Sequence, residues 1–359
     1  MQRQLARLGD DRAAIVDRAG ASRRRLLLGA AAAAAGGCVA AWPLRAEAAR
    51  LEPARLRDSR ALMGTRVDVA VQSPDAALLR PAVDAAFARM AALAAEMSHY
   101  DPTSRVSAIG LAAGLQPVPI SKELLTVLEM ARSVSVGSGG AFDVTVGTVG
   151  RWHFGPENPQ MPVPAYISSR LPAVGYKQLV VDTRNDTAYL PRRGMRLDLG
   201  GIAKLYILEQ GLDILRGHGI ESALINGGGD VLALAPDAAP AWRVGMRDPR
   251  APERLLGVVA LRRGFVASSG DYERCFERDG RRYHHVLDPK TGYPARGPHG
   301  VTLVGETLEA VNGIGAAAMV LGRDAPPLFR HSGAEALIAH RDGSLWSTAG
   351  MKSRLSRAG

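Results

Sequence analysis

The chain has 359 residues, 47% of them hydrophobic and 22% charged, with a formal net charge of +10. That composition excludes a small disulfide-stapled module, long-range disorder and a coiled coil, and it leaves room for a sizeable core. Two cysteines, Cys38 and Cys275, are too few for a multi-cysteine zinc site, and 5% aromatic residues are too few for a platform that stacks single-stranded nucleic acid.

Residues 1–48 read as an export signal. Arg23-Arg24-Arg25 precedes a short, mildly apolar run from Leu26 to Trp42, and Ala46-Glu47-Ala48 offers the small residues a signal peptidase reads. The twin arginine resembles the signal of the Tat pathway, which carries folded proteins to the periplasm. An uncleaved anchor and a lipid on Cys38 are the alternatives; the run is short and weakly hydrophobic for a permanent span. Residues 1–48 hold eight arginines and four acids, so removing them lowers the 45 bases and 35 acids to 37 and 31, a net +6. That charge suits an anionic small ligand and does not call for nucleic acid. Cys275 is then alone, and no internal disulfide is expected.

Residues 49–359 read as one domain without repeats or low-complexity linkers. Arg66 to Val71 alternates and predicts a strand. Pro74-Asp75 opens a helix to Met97, and Ser121 with Glu123 opens a second, to about Ser135. Gln178–Asp182 and Thr187–Leu190 flank Asn185-Asp186, a hairpin signal. A helix follows Gly200-Gly201, and Ala223–Ile225 is a short strand ending in Asn226-Gly227-Gly228-Gly229-Asp230. Further strands are expected around Trp242–Met246, Gly257–Leu261, Phe265–Ala267 and Val301–Val304, and a helix from Leu308 to Leu321. Without regular βαβ alternation the class is α+β, a single compact unit of mixed sheets and helices with room for two subdomains.

The densest polar constellation is Ser268-Ser269-Gly270-Asp271-Tyr272 followed by Tyr283-His284-His285-Val286-Leu287-Asp288-Pro289-Lys290-Thr291-Gly292. A histidine beside a carboxylate makes a general-base pair, unless Asp288 merely caps a turn. Asp198-Leu199-Gly200-Gly201-Ile202-Ala203-Lys204 places glycines and a lysine at a helix start, where free N–H groups favour a phosphate. It is neither a Walker A loop nor a G-x-G-x-x-G fingerprint. The three glycines at 227–229 are equally compatible with a plain turn.

Together these segments resemble the ApbE family, the FAD:protein FMN transferases of the bacterial envelope. The likeness runs from about Met63 to Gly322 in six ordered blocks. They are Met63-Gly64-Thr65, Ser98-His99-Tyr100-Asp101, Gly140-Ala141-Phe142-Asp143-Val144-Thr145 (Val144 replacing a proline), Asp198 to Lys204, Ser269 to Tyr272, and His285 to Gly292. The export signal is similar to that of NosX-like members, accessories of nitrous oxide reduction.

The resemblance implies a compact, T-fold-like ApbE unit. It implies transfer of the FMN half of FAD to a serine or threonine hydroxyl of a target protein, with release of AMP. Met63, Tyr100, Ala141, Phe142, Asp143, Asp198 and Lys204 would line the FAD site. His285 would be the base, Asp288 would orient its loop or its imidazole, and His284 would be a bystander. The implied acceptor is a membrane-bound electron-transfer protein with an Asp-x-x-Ser/Thr-Gly-Ala-type motif, which this chain itself lacks.

The family's Mg²⁺ would be held by the carbonyl at Gly201 and by an aspartate and a threonine one helical turn apart. Those two positions fall on Asn312 and Ala316. An amide brings no charge and alanine brings no ligand, so magnesium binding is expected to be weakened. Leu205 and Gly110 also depart from the family's glycine and asparagine. The alternative reading is therefore a non-catalytic FAD-binding or carrier protein with a degenerate magnesium site. A third reading is an FAD pyrophosphatase, which needs the same metal.

Overall fold

The computed structural model describes residues 52–155 and 157–357; the export-signal segment, and with it the Cys38 alternative, lies outside the described residues. The frame is an eight-stranded antiparallel sheet whose strands lie side by side in chain order. They are β1 (Ala54–Leu62), β2 (Thr65–Ser73), β3 (Ser222–Gly227), β4 (Asp230–Leu234), β5 (Arg263–Gly270), β6 (Gly300–Gly305), β7 (Glu335–Ala339) and β8 (Leu345–Ser347). The α+β expectation holds.

Val67, Val69 and Val71 of β2 share one face and are all buried, as their alternation predicts. That face meets an amphipathic helix, Leu79–Glu96, whose buried Leu79, Ala82, Val83, Ala86, Phe87, Met90 and Leu93 recur at three- and four-residue steps. Helices Lys122–Gly137, Ala203–Gly217 and Ile314–Leu321 complete this main core. The opposite face carries a second core, against a three-stranded sheet built from Trp242–Asp248, Ala251–Leu261 and Leu355–Ser356. Among the described residues no helix is long and apolar enough to cross a membrane.

Local chemistry explains most boundaries. The Ser121 hydroxyl accepts from the Leu124 N–H at 3.0 Å and starts its helix where expected. The expected helix from Pro74 begins later, at Leu79. Asp75 instead caps a single 3₁₀ turn over Ala76–Leu78, accepting from the Ala77 N–H. The expected helix Leu308–Leu321 is broken in two. Its first piece stops at Val311, Asn312 is extended, Gly313 is left-handed (φ +74°), and the helix resumes at Ile314.

The topology brings the chemistry-bearing blocks to one end of the sheet. The β1–β2 turn at Met63-Gly64, the β3–β4 turn at Gly228-Gly229, the end of β5 and the start of β6 all emerge there. Both turns have positive φ at their two central residues, the primed geometry that suits two-residue hairpins. Gly228 (φ +62°) also lies against β2. A Cβ there would fall 2.5 Å from Thr65 Oγ1. Gly228→Ala is expected to destabilise the protein by about 1–2 kcal/mol through backbone strain and overpacking. Chemical denaturation measures this, and an unchanged midpoint would show that the turn relaxes freely.

Candidate active site

Met63 stands in the left-handed region (φ 54°), a strained conformation for a large side chain and one that recurs at functional sites. Its carbonyl accepts a long hydrogen bond, 3.4 Å, from Arg274 Nη2. Arg274 also hydrogen-bonds the Tyr100 phenol, and its charge acts on Asp198, Lys204 and His285. The guanidinium is therefore the hub of five of the residues expected at the site, touching Met63 and Tyr100 and acting through its charge on the other three. Arg274 was missed from sequence because the quoted motif stops at Tyr272; the signal was the Glu273-Arg274 pair that continues it.

Tyr100 is half exposed and lies tilted on the His99 ring, with centroids 3.9 Å apart. Arg151 sits 5.8 Å over the Tyr100 ring and donates to the His99 carbonyl at 3.1 Å. His99 Nδ1 lies 3.1 Å from Asp198 Oδ1, which also accepts from the Gly200 N–H at 2.8 Å. Burial alone would raise the Asp198 pKa. His99, the Gly200 N–H and Arg274 more than offset it and hold the carboxyl down at about 2. Asp198 is thus ionised and fixes the turn that starts helix Ala203–Gly217.

Lys204, in the first turn of that helix, reaches back to the sheet and pairs with Asp230 Oδ2 at 2.7 Å. Burial would lower the lysine pKa; Asp230 and Glu273 outweigh it, and the net shift is upward. The other Asp230 oxygen accepts from the Ser268 N–H at 2.9 Å, so one buried carboxylate ties helix, β4 and β5 together.

His285 follows the hairpin Cys275–Arg278/Arg281–His284, and its N–H donates to the Arg274 carbonyl at 3.1 Å. Its Nδ1 is buried with no hydrogen-bond partner among the described residues. A buried nitrogen without an internal partner is available to take a hydrogen bond or a proton. Burial, then the charges of Arg274, His284 and Lys204, push the His285 pKa down to about 3, so the ring is neutral at physiological pH. Both ring nitrogens of His284 are engaged: Nε2 meets the Ala295 carbonyl at 2.9 Å and Nδ1 accepts from the Val286 N–H at 3.4 Å.

Asp288 takes the quieter of its two expected roles. Its carboxylate accepts from the Lys290 N–H at 2.9 Å and its carbonyl accepts from the Gly292 N–H, so it shapes the loop and leaves the imidazole alone. Asp271, wholly buried, draws Arg282 (3.5 Å), His299 (2.9 Å) and Arg341 (3.1 Å) onto the end of β5, which anchors the hairpin that presents Arg274 and His285.

Three residues expected to line the site face inward. Ala141 and Phe142 are buried in the main core. Both Asp143 oxygens are occupied: one accepts from the Thr145 N–H and hydroxyl, the other from the Tyr176 N–H at 2.6 Å. Burial nonetheless leaves its pKa raised. Asp143 holds the Gly140–Gly147 segment in shape, and a sequence motif cannot distinguish that from ligand contact. Leu205 also packs in the main core.

The residues at the expected magnesium positions do not fit the ion. A Cβ on Gly201 would lie 3.1 Å from Phe142 Cε2 and 3.7 Å from Ala316 Cβ, so the α-carbon of Gly201 packs against Phe142 and against the alanine that stands at the expected threonine position. Asn312 is buried and its amide nitrogen faces Met130 Sδ at 3.9 Å. Glu309 is exposed one turn earlier, where its charge acts on Glu209 of helix Ala203–Gly217. Among the described residues no group of three His, Cys, Asp or Glu side chains is placed to hold a metal. Magnesium favours carboxylate oxygens, and neither Asn312 nor Ala316 brings one.

Comparison with known proteins agrees with this geometry. The ApbE family model matches residues 63–338. The FAD:protein FMN transferase of Treponema pallidum (strain Nichols) is 32% identical over 325 residues, 84% of this chain and 90% of the relative. That of Klebsiella pneumoniae (strain 342) is 37% identical over 193 residues; the match spans 53% of this chain and 60% of the relative. Among solved structures, the ApbE protein from Thermotoga maritima superposes with a TM-score of 0.75 at 31% identity, covering 85% of this chain and all of that one. The flavin transferase ApbE from Vibrio cholerae gives 0.72 at 25% identity, covering 84% of this chain and all of that one. With the motifs gathered at one sheet end and the family model matching most of its length, this chain belongs to the ApbE family.

Proposed function

We propose that the protein transfers FMN from FAD to a serine or threonine hydroxyl of an acceptor protein. The observation that carries the reading is the neutral His285 imidazole, with its orphaned Nδ1, beside the cations Arg274 and Lys204. The acceptor hydroxyl attacks the phosphorus on the FMN side of the pyrophosphate. His285 takes its proton, the bridging P–O bond breaks, and AMP leaves as a phosphate monoester. Arg274 supplies charge where the pyrophosphate oxygens accumulate it, and Lys204, held by Asp230, adds a second fixed cation. Tyr100, exposed and buttressed by His99 and Arg151, offers a ring face to the flavin or adenine.

A second reading, an FAD carrier without transfer, is favoured by Asn312 and Ala316 alone. We place the mature protein, residues 49–359, in the periplasm after Tat-type export, with a membrane-bound electron-transfer subunit as acceptor. The test is a denaturing gel after incubation with FAD and an acceptor domain bearing an Asp-x-x-Ser/Thr-Gly-Ala motif. A fluorescent acceptor band is expected. A dark band, where a T. pallidum-type transferase labels the same acceptor, favours the carrier reading.

A further inference from the structure

Breaking the helix at Asn312-Gly313 and placing Ala316 beside Gly201 leave two of the three expected cation-holding positions, Gly201 and Asn312, next to Phe142, Ala316 and the Met130 sulfur. A dianionic pyrophosphate still needs compensating charge there or close by. Arg274 is exposed, and its guanidinium reaches the β1–β2 turn at Met63-Gly64. It contacts Met63 and Tyr100 and acts on Asp198, Lys204 and His285. Its planar fork of five donors matches phosphate oxygens, whereas Lys204 is already paired with Asp230 at 2.7 Å.

We propose that this chain holds the pyrophosphate of FAD without a divalent cation, the charge being supplied by Arg274. The inference deepens the proposed function and rests on FAD being the ligand of this cleft. Arginine is always charged and needs no dehydration of a tightly held water shell, so affinity is indifferent to chelators. The charge is also fixed before the ligand arrives, and FAD binding reports on Arg274 directly.

The experiment measures FAD affinity of the purified protein by flavin fluorescence, once with MgCl₂ and once with EDTA. The two dissociation constants are expected to agree within about twofold, while Arg274→Gln weakens binding about tenfold or more and Arg274→Lys recovers part of the loss. Calorimetric titration of MgCl₂ into the FAD-loaded protein is expected to show no saturable site beyond that of free FAD. A tenfold loss of affinity in EDTA, a saturable magnesium site, or an Arg274→Gln protein that binds FAD like the wild type overturns the proposal. Acceptor labelling, run in parallel, separates the two claims. Chelator-insensitive FAD binding with no labelled acceptor sinks the transferase reading and leaves the inference standing. No FAD binding in either buffer overturns both.

Discussion

His285→Ala is expected to lower FMN transfer by about 10²–10⁴-fold, the usual contribution of a positioned general base, while FAD binding stays near the wild-type level. The imidazole contributes no charge to binding, since burial and the neighbouring cations Arg274 and Lys204 keep it neutral down to about pH 3. The sign of the pH dependence follows. The base works deprotonated, so in the free enzyme it is competent at every pH above about 3, and kcat/KM shows no break from this group near 6.5. Once the dianionic pyrophosphate lies beside the ring, part of the cationic repulsion is cancelled, and protonation becomes easier. The acidic limb of kcat is therefore expected at higher pH than that of kcat/KM. The folded state also binds fewer protons than the unfolded chain between about pH 6.5 and 3, so this group costs stability as pH falls through that window. Transfer at wild-type rates in His285→Ala, or coincident acidic limbs, would remove His285 from the mechanism.

Asp230→Ala is expected to cost about 2–4 kcal/mol of stability, because a mostly buried carboxylate pairs with a mostly buried ammonium and its removal strands the partner. The lower end allows for the residual exposure of Lys204, which screens the abandoned charge. The same change frees the Ser268 N–H and loosens the junction of helix Ala203–Gly217 with β4 and β5. Thermal unfolding is expected to shift down by several degrees, at about 2 °C per kcal/mol, the low end of the range for domains of 150–250 residues. FAD affinity falls with it, since Lys204 loses its fixed position. Asp230→Asn keeps the acceptor for the Ser268 N–H and isolates the charge term. Equal effects of the two substitutions would contradict the ion-pair account.

Much of this site was legible because its blocks are dense in glycine and in polar residues at strand ends. Position along the chain did not reveal direction. Asp143 and Asp198 are both motif aspartates, yet one closes on Thr145 and Tyr176 in the interior while the other meets His99 in the cleft. Arg274 was missed because nothing in a lone arginine two residues past a quoted motif shows that a hairpin folds it over Met63. Strand β1 was also missed. It is an edge strand with little burial, and its Arg-Leu-Arg-Asp-Ser-Arg run carries too few apolar residues for alternation to register. The break at Asn312-Gly313 was hidden by an apolar run that fits a continuous helix. Only packing of Gly313 against Ile202 and Val134 shows why the backbone turns there.

The claim that the protein is a transferase is tested most directly by the intact mass of an acceptor domain after incubation with the protein and FAD, with AMP quantified in the same sample. The account predicts an acceptor heavier by one FMN less one water, one AMP released per acceptor modified, and no gain when the target Ser or Thr is replaced by Ala. An unmodified acceptor alongside bound, intact FAD would contradict it and identify a flavin carrier. Release of FMN and AMP with no gain in acceptor mass would contradict it in favour of a pyrophosphatase.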